Sequence, residues 1–100
     1  MATEVDDIED RHLGHEVAVK FTYLNSNEEV EFRVPAADTL QQVWDTAYGK
    51  LEESRRQGDQ LQCASGTSLM ADLQLTMTEL HERHICTERH FEIRSESGGA

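Results

Sequence analysis

Residues 89–100 read RHFEIRSESGGA, a short strand pattern that runs directly into a polar tail. Phe91 and Ile93 alternate with polar side chains, which is the period of two expected of a half-buried strand. Gly98 and Gly99 have no Cβ, so they fit a slot that is too narrow for other residues. From the end of the strand to the second glycine the extended chain spans roughly 17 Å. The tail can therefore carry a carboxylate into the active site of another protein; the alternative is a flexible terminus without a function.

The chain upstream carries the patterns of a small α+β domain. Two runs of alternating apolar and polar residues, 16–24 and 29–34, flank the polar turn 25–27 and predict a β-hairpin that Pro35 ends. An apolar stripe at helical spacing then predicts a long helix, with Trp44 in the core. The helix cap is assigned to Asp38, with Gln41 in capping-box position, and the helix end to Gly58.

Four short elements complete the predicted order, which is ββαββ(short α)β. They are a strand at 60–64, a strand stub at 68–70, a helix opened by the capping box at 76–79 and a strand at 89–94. We divide the chain into an acidic arm at 1–15, a folded domain at 16–94 and a tail at 95–100.

Charge narrows the set of partners. The 100 residues include 20 acidic and 9 basic side chains, for a net charge of −11. Such a surface repels phosphate backbones and anionic lipids, so nucleic acid and membranes are not expected as partners, whereas a protein with a basic face is. No apolar run has the length of a membrane span and no secretory signal opens the chain, which predicts a cytoplasmic protein.

The sequence gives no strong signal for a metal, a cofactor or an enzyme active site. The two cysteines, Cys63 and Cys86, are too few for a disulfide framework, and we expect reduced thiols. His81 and His84 are one residue short of the spacing in the HExxH zinc motif. We therefore predict no metal site, no cofactor and no catalytic residue.

The acidic arm has two interpretations. It is either a disordered tail that promotes solubility or a peptide that docks into a groove through Val5 and Ile8, which lie among five acidic residues. In the second case the partner is a conjugation enzyme or another copy of this chain. Docking on another copy would be head-to-tail, and such contacts build rings or filaments.

The order of elements resembles the β-grasp fold of ubiquitin-like proteins. Two stretches carry the resemblance most specifically: QLQCASGTSL at 60–69 is similar to the third strand, turn and short strand of ubiquitin, and FEIR at 91–94 followed by the diglycine is similar to its C-terminus. The acidic arm, the histidine-rich second helix and the residue after the diglycine are most similar to ubiquitin-like modifiers of bacterial operons.

The resemblance implies a protein modifier and not an enzyme. An E1-like enzyme would adenylate the terminal glycine, an E2-like enzyme would receive it as a thioester, and a target protein would be modified and later released by a deconjugating peptidase. Gly98 and Gly99 would be the conjugation site. Ala100 departs from this pattern: either a peptidase first cleaves between Gly99 and Ala100, which we favour, or Ala100 itself is activated.

The sheet surface departs from ubiquitin as well. Ubiquitin receptors bind an apolar patch on the outer sheet face, but alternation places polar residues there in this chain, among them Gln62, His90 and Arg94. We assign these three residues to partner binding. Two other classes of function remain open: a sulfur carrier, which would turn the adenylate into a thiocarboxylate, and a non-covalent β-grasp adaptor or assembly subunit with an idle tail.

Overall fold

The computed structural model describes residues 15–95, and its first two strands form the predicted hairpin. Strand β1 is Glu16–Tyr23 and strand β2 is Glu28–Pro35, paired antiparallel. The turn between them needs one left-handed residue, and Asn27 supplies it with a φ of 64°. Because side chains alternate across a strand, every second residue of β1 from Val17 is buried, as the sequence pattern predicts.

The last strand lies in the middle of the sheet. Strand β3 is Gln60–Cys63 and strand β4 is His90–Arg94, and the sheet order is β2-β1-β4-β3. Strand β4 runs parallel to β1 and antiparallel to β3. The sheet is therefore mixed, and its central pair joins the two strands that are farthest apart in the sequence.

Helix α1, Leu40–Leu51, covers the inner face of the sheet. Its N-cap is Thr39, whose side chain accepts a hydrogen bond from the backbone of Gln42 in a capping box. The predicted cap at Asp38 is therefore wrong by one residue. The predicted end at Gly58 is wrong as well, because Glu52 takes a left-handed conformation, with a φ of 59°, and ends the helix there.

The core is formed between α1 and the inner sheet face. Trp44 is 1 % exposed, which confirms its predicted burial. Phe21 of β1 and Phe91 of β4 are fully buried, and their ring centroids are 5.0 Å apart. The core thus ties α1 to both central strands, since its buried apolar residues make one continuous cluster.

The segment after β3 differs from the prediction. Ser68 makes one isolated bridge with Gln62, and the chain then turns into a 3₁₀ helix at Met70–Asp72. The predicted strand at 68–70 is therefore wrong, and the described residues form a sheet of four strands. Two backbone hydrogen bonds flank this bridge, from the Cys63 amide to the Thr67 carbonyl at 2.8 Å and from the Leu69 amide to the Leu61 carbonyl at 2.9 Å. The pairing goes no further because the backbone enters the 3₁₀ turn at Met70. The next helix, α2, is Met77–Glu82 and has the predicted capping box of Thr76 and Glu79.

A buried polar cluster holds the connection from α1 to β3. Asp59 is 7 % exposed; its carboxylate accepts a hydrogen bond of 2.6 Å from the Tyr48 hydroxyl and one of 3.1 Å from the Arg56 amide. Burial, and then the hydrogen bond and charge of Asp59, raise the pKa of the Tyr48 phenol. The neutral phenol is the form that donates to Asp59, so the cluster serves as a structural support for the loop.

The described residues form a small α+β domain whose mixed sheet is compatible with a β-grasp fold. Neither of its helices has the length and apolar content that a membrane crossing requires. The acidic arm and the diglycine tail lie outside the described residues, apart from His15, whose carbonyl accepts a hydrogen bond from the Ala36 amide at 2.7 Å, and Ser95.

Candidate functional site

Strand β4 gives the start of the tail a fixed position. Phe91 and Ile93 are fully buried, so the strand is anchored by its inward side chains. The Ile93 carbonyl also accepts a hydrogen bond of 3.0 Å from the Leu24 amide, which continues the pairing of β4 with β1 to one residue past the end of β1. Ser95 is 8 % exposed. The chain therefore remains packed on the domain until one residue past β4.

The three residues assigned to partner binding in the sheet lie on one face. Gln62 is opposite Glu92 in the β3–β4 register, and His90 and Arg94 are each two residues from Glu92 on β4. Side chains two residues apart on a strand share a face, so Gln62, His90 and Arg94 line the outer surface together. The structure thus brings together residues that are about 30 positions apart in the sequence.

Hydrogen bonds fix most of this outer face. The Gln62 amide donates to the Glu92 carboxylate at 2.9 Å, and His90 Nε2 is 3.1 Å from the Thr22 hydroxyl. Thr22 points outward but is only 7 % exposed, because its neighbours cover it. Arg94 is exposed at the end of the strand. Among these positions, Arg94 is therefore the side chain with the most freedom to meet a partner.

The rest of the outer face is polar and carries both signs of charge. Lys20 pairs with Glu29 at 3.5 Å, and Arg33 pairs with Glu16 at 3.5 Å. Exposed ion pairs of this kind contribute little to stability. The only large apolar residues exposed in the described part of the chain are Leu24 and Met70, which lie outside the four strands. The outer face of the sheet thus has the polar character that the alternation predicts.

The remaining predicted site residues belong to the acidic arm and the diglycine tail. Gly98, Gly99 and Ala100, together with Val5 and Ile8 of the arm, lie outside the described residues. Their assignments to conjugation, processing and docking stay predictions.

A second site, which was not predicted from the sequence, lies at the loop between α2 and β4. Cys63 on β3 and Cys86 in this loop form a disulfide, with Cα atoms 5.6 Å apart. The expectation of two reduced thiols is therefore wrong for this structure. The cysteines are 23 positions apart in the sequence, and no local pattern indicates that β3 and this loop meet. The presence of two cysteines is the one feature of the sequence that could have indicated this disulfide.

The loop around Cys86 has an unusual backbone. Three residues that are not glycine, His84, Cys86 and Arg89, have φ angles of 60°, 50° and 55°. Left-handed residues of this kind are uncommon and persist where the surrounding structure holds them. Here the Ile85 amide donates to the Leu80 carbonyl at 2.8 Å, and the Arg89 amide donates to the Cys86 carbonyl at 2.9 Å. The loop is thus a compact, defined turn.

The disulfide borders a pocket of about 330 Å³. Both cysteines, Asp72, His84 and Glu88 are part of its lining. One ligand-type atom from each of Cys63, Cys86 and Glu88 lies within 4.8 Å of the others. These three residues are the group in the described part of the chain that could hold a metal ion, although the sulfurs are joined in the structure.

Comparison with known protein families finds no matching family model, and comparison with curated proteins finds no similar sequence.

Proposed function

We propose that this chain is a ubiquitin-like protein modifier of the β-grasp fold. The observation that supports the proposal is the position of the last strand: β4 lies in the centre of the sheet, parallel to β1, and leads into a tail with the sequence SESGGA at 95–100. A modifier needs a rigid body for recognition and a free carboxyl end for chemistry. The central strand would supply the first, and a tail processed to Gly99 would supply the second.

The chemistry explains the diglycine. The carboxylate of Gly99 attacks the α-phosphate of ATP, pyrophosphate leaves, and an acyl adenylate forms on an E1-like enzyme. An enzyme thiolate then displaces AMP to give a thioester, which an E2-like enzyme receives before an amine of the target displaces the thiol. The adenylation site must admit the tail through a narrow channel, and glycines without a Cβ are suited to it.

The activating enzyme would recognise the polar outer face of the sheet. Arg94 is exposed at the root of the tail, and Gln62 and His90 lie beside it on the same face. A net charge of −11 favours an enzyme with a basic docking surface. The apolar patch that ubiquitin receptors bind has no counterpart among the described residues of this face, so a dedicated set of enzymes is the expected partner.

Few sites are available for linking one copy to another through lysine. The chain has two lysines, Lys20 and Lys50. Lys20 is paired with Glu29 on the outer face, and the Lys50 ammonium lies 5.8 Å from the centre of the Phe32 ring. The proposed product is therefore a target protein that carries single copies of this chain.

The proposal also places the modifier in the cytoplasm and includes docking of the arm. The arm would dock through Val5 and Ile8, either on a conjugation enzyme or on another copy of the chain.

The substitution Gly99→Val tests the proposal. In cells that also express the cognate activating and conjugating enzymes, we expect it to abolish conjugates, because the added side chain blocks the adenylation channel. The free energy of unfolding should stay within about 0.5 kcal/mol of the wild type, as is usual for surface changes. Ser97→Val adds the same side chain outside the diglycine and is the matched control. Wild-type amounts of conjugate with Gly99→Val would leave an adaptor with an idle tail as the better explanation.

Removal of Ala100 is expected to precede activation. Intact mass of the protein co-expressed with its peptidase should show the loss of one alanine, and a chain ending at Gly99 should form conjugates without the peptidase. A conjugate that retains Ala100 would contradict this step. The same mass measurement distinguishes a sulfur carrier, in which one oxygen of the carboxylate is replaced by sulfur and no target is attached.

A further inference from the structure

The disulfide site brings together three side chains whose residue types can ligate a metal, Cys63, Cys86 and Glu88. Cys63 is 2 % exposed on β3, while Cys86 is partly buried in the loop and Glu88 is exposed two residues further on. The Glu88 carboxylate oxygen is 3.9 Å from Cys63 Sγ. Thiolates and a carboxylate are ligands of Zn²⁺. In the structure the two sulfurs are bonded to each other, so neither is present as a thiolate that could bind a metal ion.

We propose that the dithiol form of this site binds one Zn²⁺ ion. Cys63 and Cys86 would be the two thiolate ligands, Glu88 the carboxylate ligand, and a water from the adjoining pocket would complete the tetrahedron. The disulfide and the metal centre are then alternative states of the same pair of cysteines. This inference does not depend on the modifier function.

The distances fit a tetrahedral ion. Zinc lies about 2.3 Å from sulfur and about 2.1 Å from oxygen, so a sulfur and an oxygen on the same ion are about 3.6 Å apart and two sulfurs about 3.8 Å. The distance of 3.9 Å between Cys63 Sγ and the Glu88 oxygen is already close to the first value. The Cα atoms of the cysteines are 5.6 Å apart. Cys86 lies in the loop and is less buried than Cys63 on β3, so a rotamer change at Cys86 would be the movement that separates the sulfurs after reduction.

The charges around the pocket favour a cation. Asp72 and Glu88 are both in its lining, which contains no lysine or arginine. Two thiolates add two negative charges directly at the ion, whereas the disulfide adds none. The affinity of the pocket for Zn²⁺ is therefore expected to depend on the redox state of the cysteines.

The change of state is a thiol–disulfide exchange. A thiolate of an external dithiol attacks the Cys86 sulfur, a mixed disulfide forms, and Cys63 leaves as a thiolate. The second thiol of the reductant then closes its own disulfide and releases Cys86. Two electrons pass from the dithiol to the protein, and Zn²⁺ binding displaces the remaining thiol protons into solvent. In a reducing cytoplasm the metal form would replace the disulfide as the link between β3 and the loop that leads into β4.

Cobalt titration of the full chain tests the proposal. The protein is reduced with a dithiol, freed of reductant without oxygen, and titrated with Co²⁺, whose tetrahedral thiolate complexes have intense visible and near-ultraviolet absorption. We expect one Co²⁺ per chain, displaced by one Zn²⁺. The oxidised protein and Cys86→Ser should lack the thiolate-to-cobalt band. Glu88→Gln should weaken binding by about tenfold or more, and Glu82→Gln, an exposed glutamate of α2, should not.

Far-ultraviolet circular dichroism of the reduced protein separates loss of the site from loss of the fold. If the reduced chain is folded without metal, Zn²⁺ should raise its melting temperature; if it is unfolded, Zn²⁺ should restore the native spectrum. The proposal is overturned if the reduced wild type binds no Co²⁺, if the oxidised protein binds it equally well, or if Zn²⁺ leaves the reduced chain unchanged. Equal affinities of wild type and Glu88→Gln would remove Glu88 from the site.

Discussion

The substitution Trp44→Ala is expected to lower the free energy of unfolding by about 3–5 kcal/mol. The Trp44 indole is 1 % exposed between α1 and the sheet, so its removal leaves a large cavity. The Arg55 guanidinium lies over the indole, 3.8 Å from the ring centre, and the centre of the Tyr48 ring is 5.9 Å away. Small domains are stable by only about 5–15 kcal/mol, so this single change is enough to unfold a large fraction of the molecules.

Urea unfolding followed by circular dichroism measures this effect without relying on tryptophan fluorescence. The matched control is Leu24→Ala, because Leu24 is a large apolar residue that is 38 % exposed. Its free energy of unfolding should change by about 0.5 kcal/mol or less. Equal midpoints for Trp44→Ala and the wild type would show that this side chain does not form part of the core.

Reduction of the disulfide between Cys63 and Cys86 is expected to have the second largest effect. The bond closes a loop of 23 residues, and in the chain-entropy model such a cross-link stabilises the protein by about 3.4 kcal/mol. The effect acts mainly through the unfolded state, which regains conformational freedom when the bond is broken. The loop with its three left-handed residues should also become more mobile, since the disulfide is one of the contacts that hold it.

The measurement compares urea midpoints of the oxidised and reduced wild type in the presence of a metal chelator, so that zinc cannot replace the bond. Cys86→Ser lacks the disulfide while Cys63 keeps its buried position, so its midpoint should match that of the reduced wild type and should not respond to reductant. A wild-type midpoint that is the same with and without reductant would mean that the bond adds nothing to stability.

Elements with a local pattern were predicted well. The alternation along β1 and β2 predicted both strands and their inward faces, because every second side chain of a strand lies on the same side of the sheet. The apolar stripe of α1 predicted the buried face of the helix, including Trp44. Residues that recur with a period of 3.6 lie on one side of a helix and meet the same environment. The capping box at Thr76 was also correct, since it depends on residues three positions apart.

Elements whose bounds depend on distant contacts were predicted less well. Asp38 and Thr39 are both of residue types that are preferred as helix N-caps, and tertiary contacts decide between them. Thr39 forms a bridge with Thr76, the Leu40 amide donates to the Leu75 carbonyl at 2.8 Å, and the Asp38 carbonyl accepts from the Met77 amide at 3.0 Å. These bonds hold the starts of the two helices side by side and place the first turn of α1 after Thr39.

The residues of the candidate site also differ in how well the sequence predicts their surroundings. Alternation was enough to place Gln62, His90 and Arg94 on the outer face, and the register shows them together on β3 and β4. The alternation did not predict that Thr22, on the same face, would be covered by its hydrogen-bonded neighbours. Burial of an outward residue depends on the side chains of adjacent strands, which a single strand pattern does not contain.

The sequence by itself determined the strand and helix faces, the acidic charge and the two glycines near the end of the chain, because each of these is a local property. Only the tertiary structure decided that β4 lies between β1 and β3, that Asp59 is buried under Tyr48, and that Cys63 meets Cys86 beside Glu88. The physical reason is the distance along the chain. Contacts between residues 11 to 70 positions apart are selected by the packing of the whole core, which no short window of sequence records.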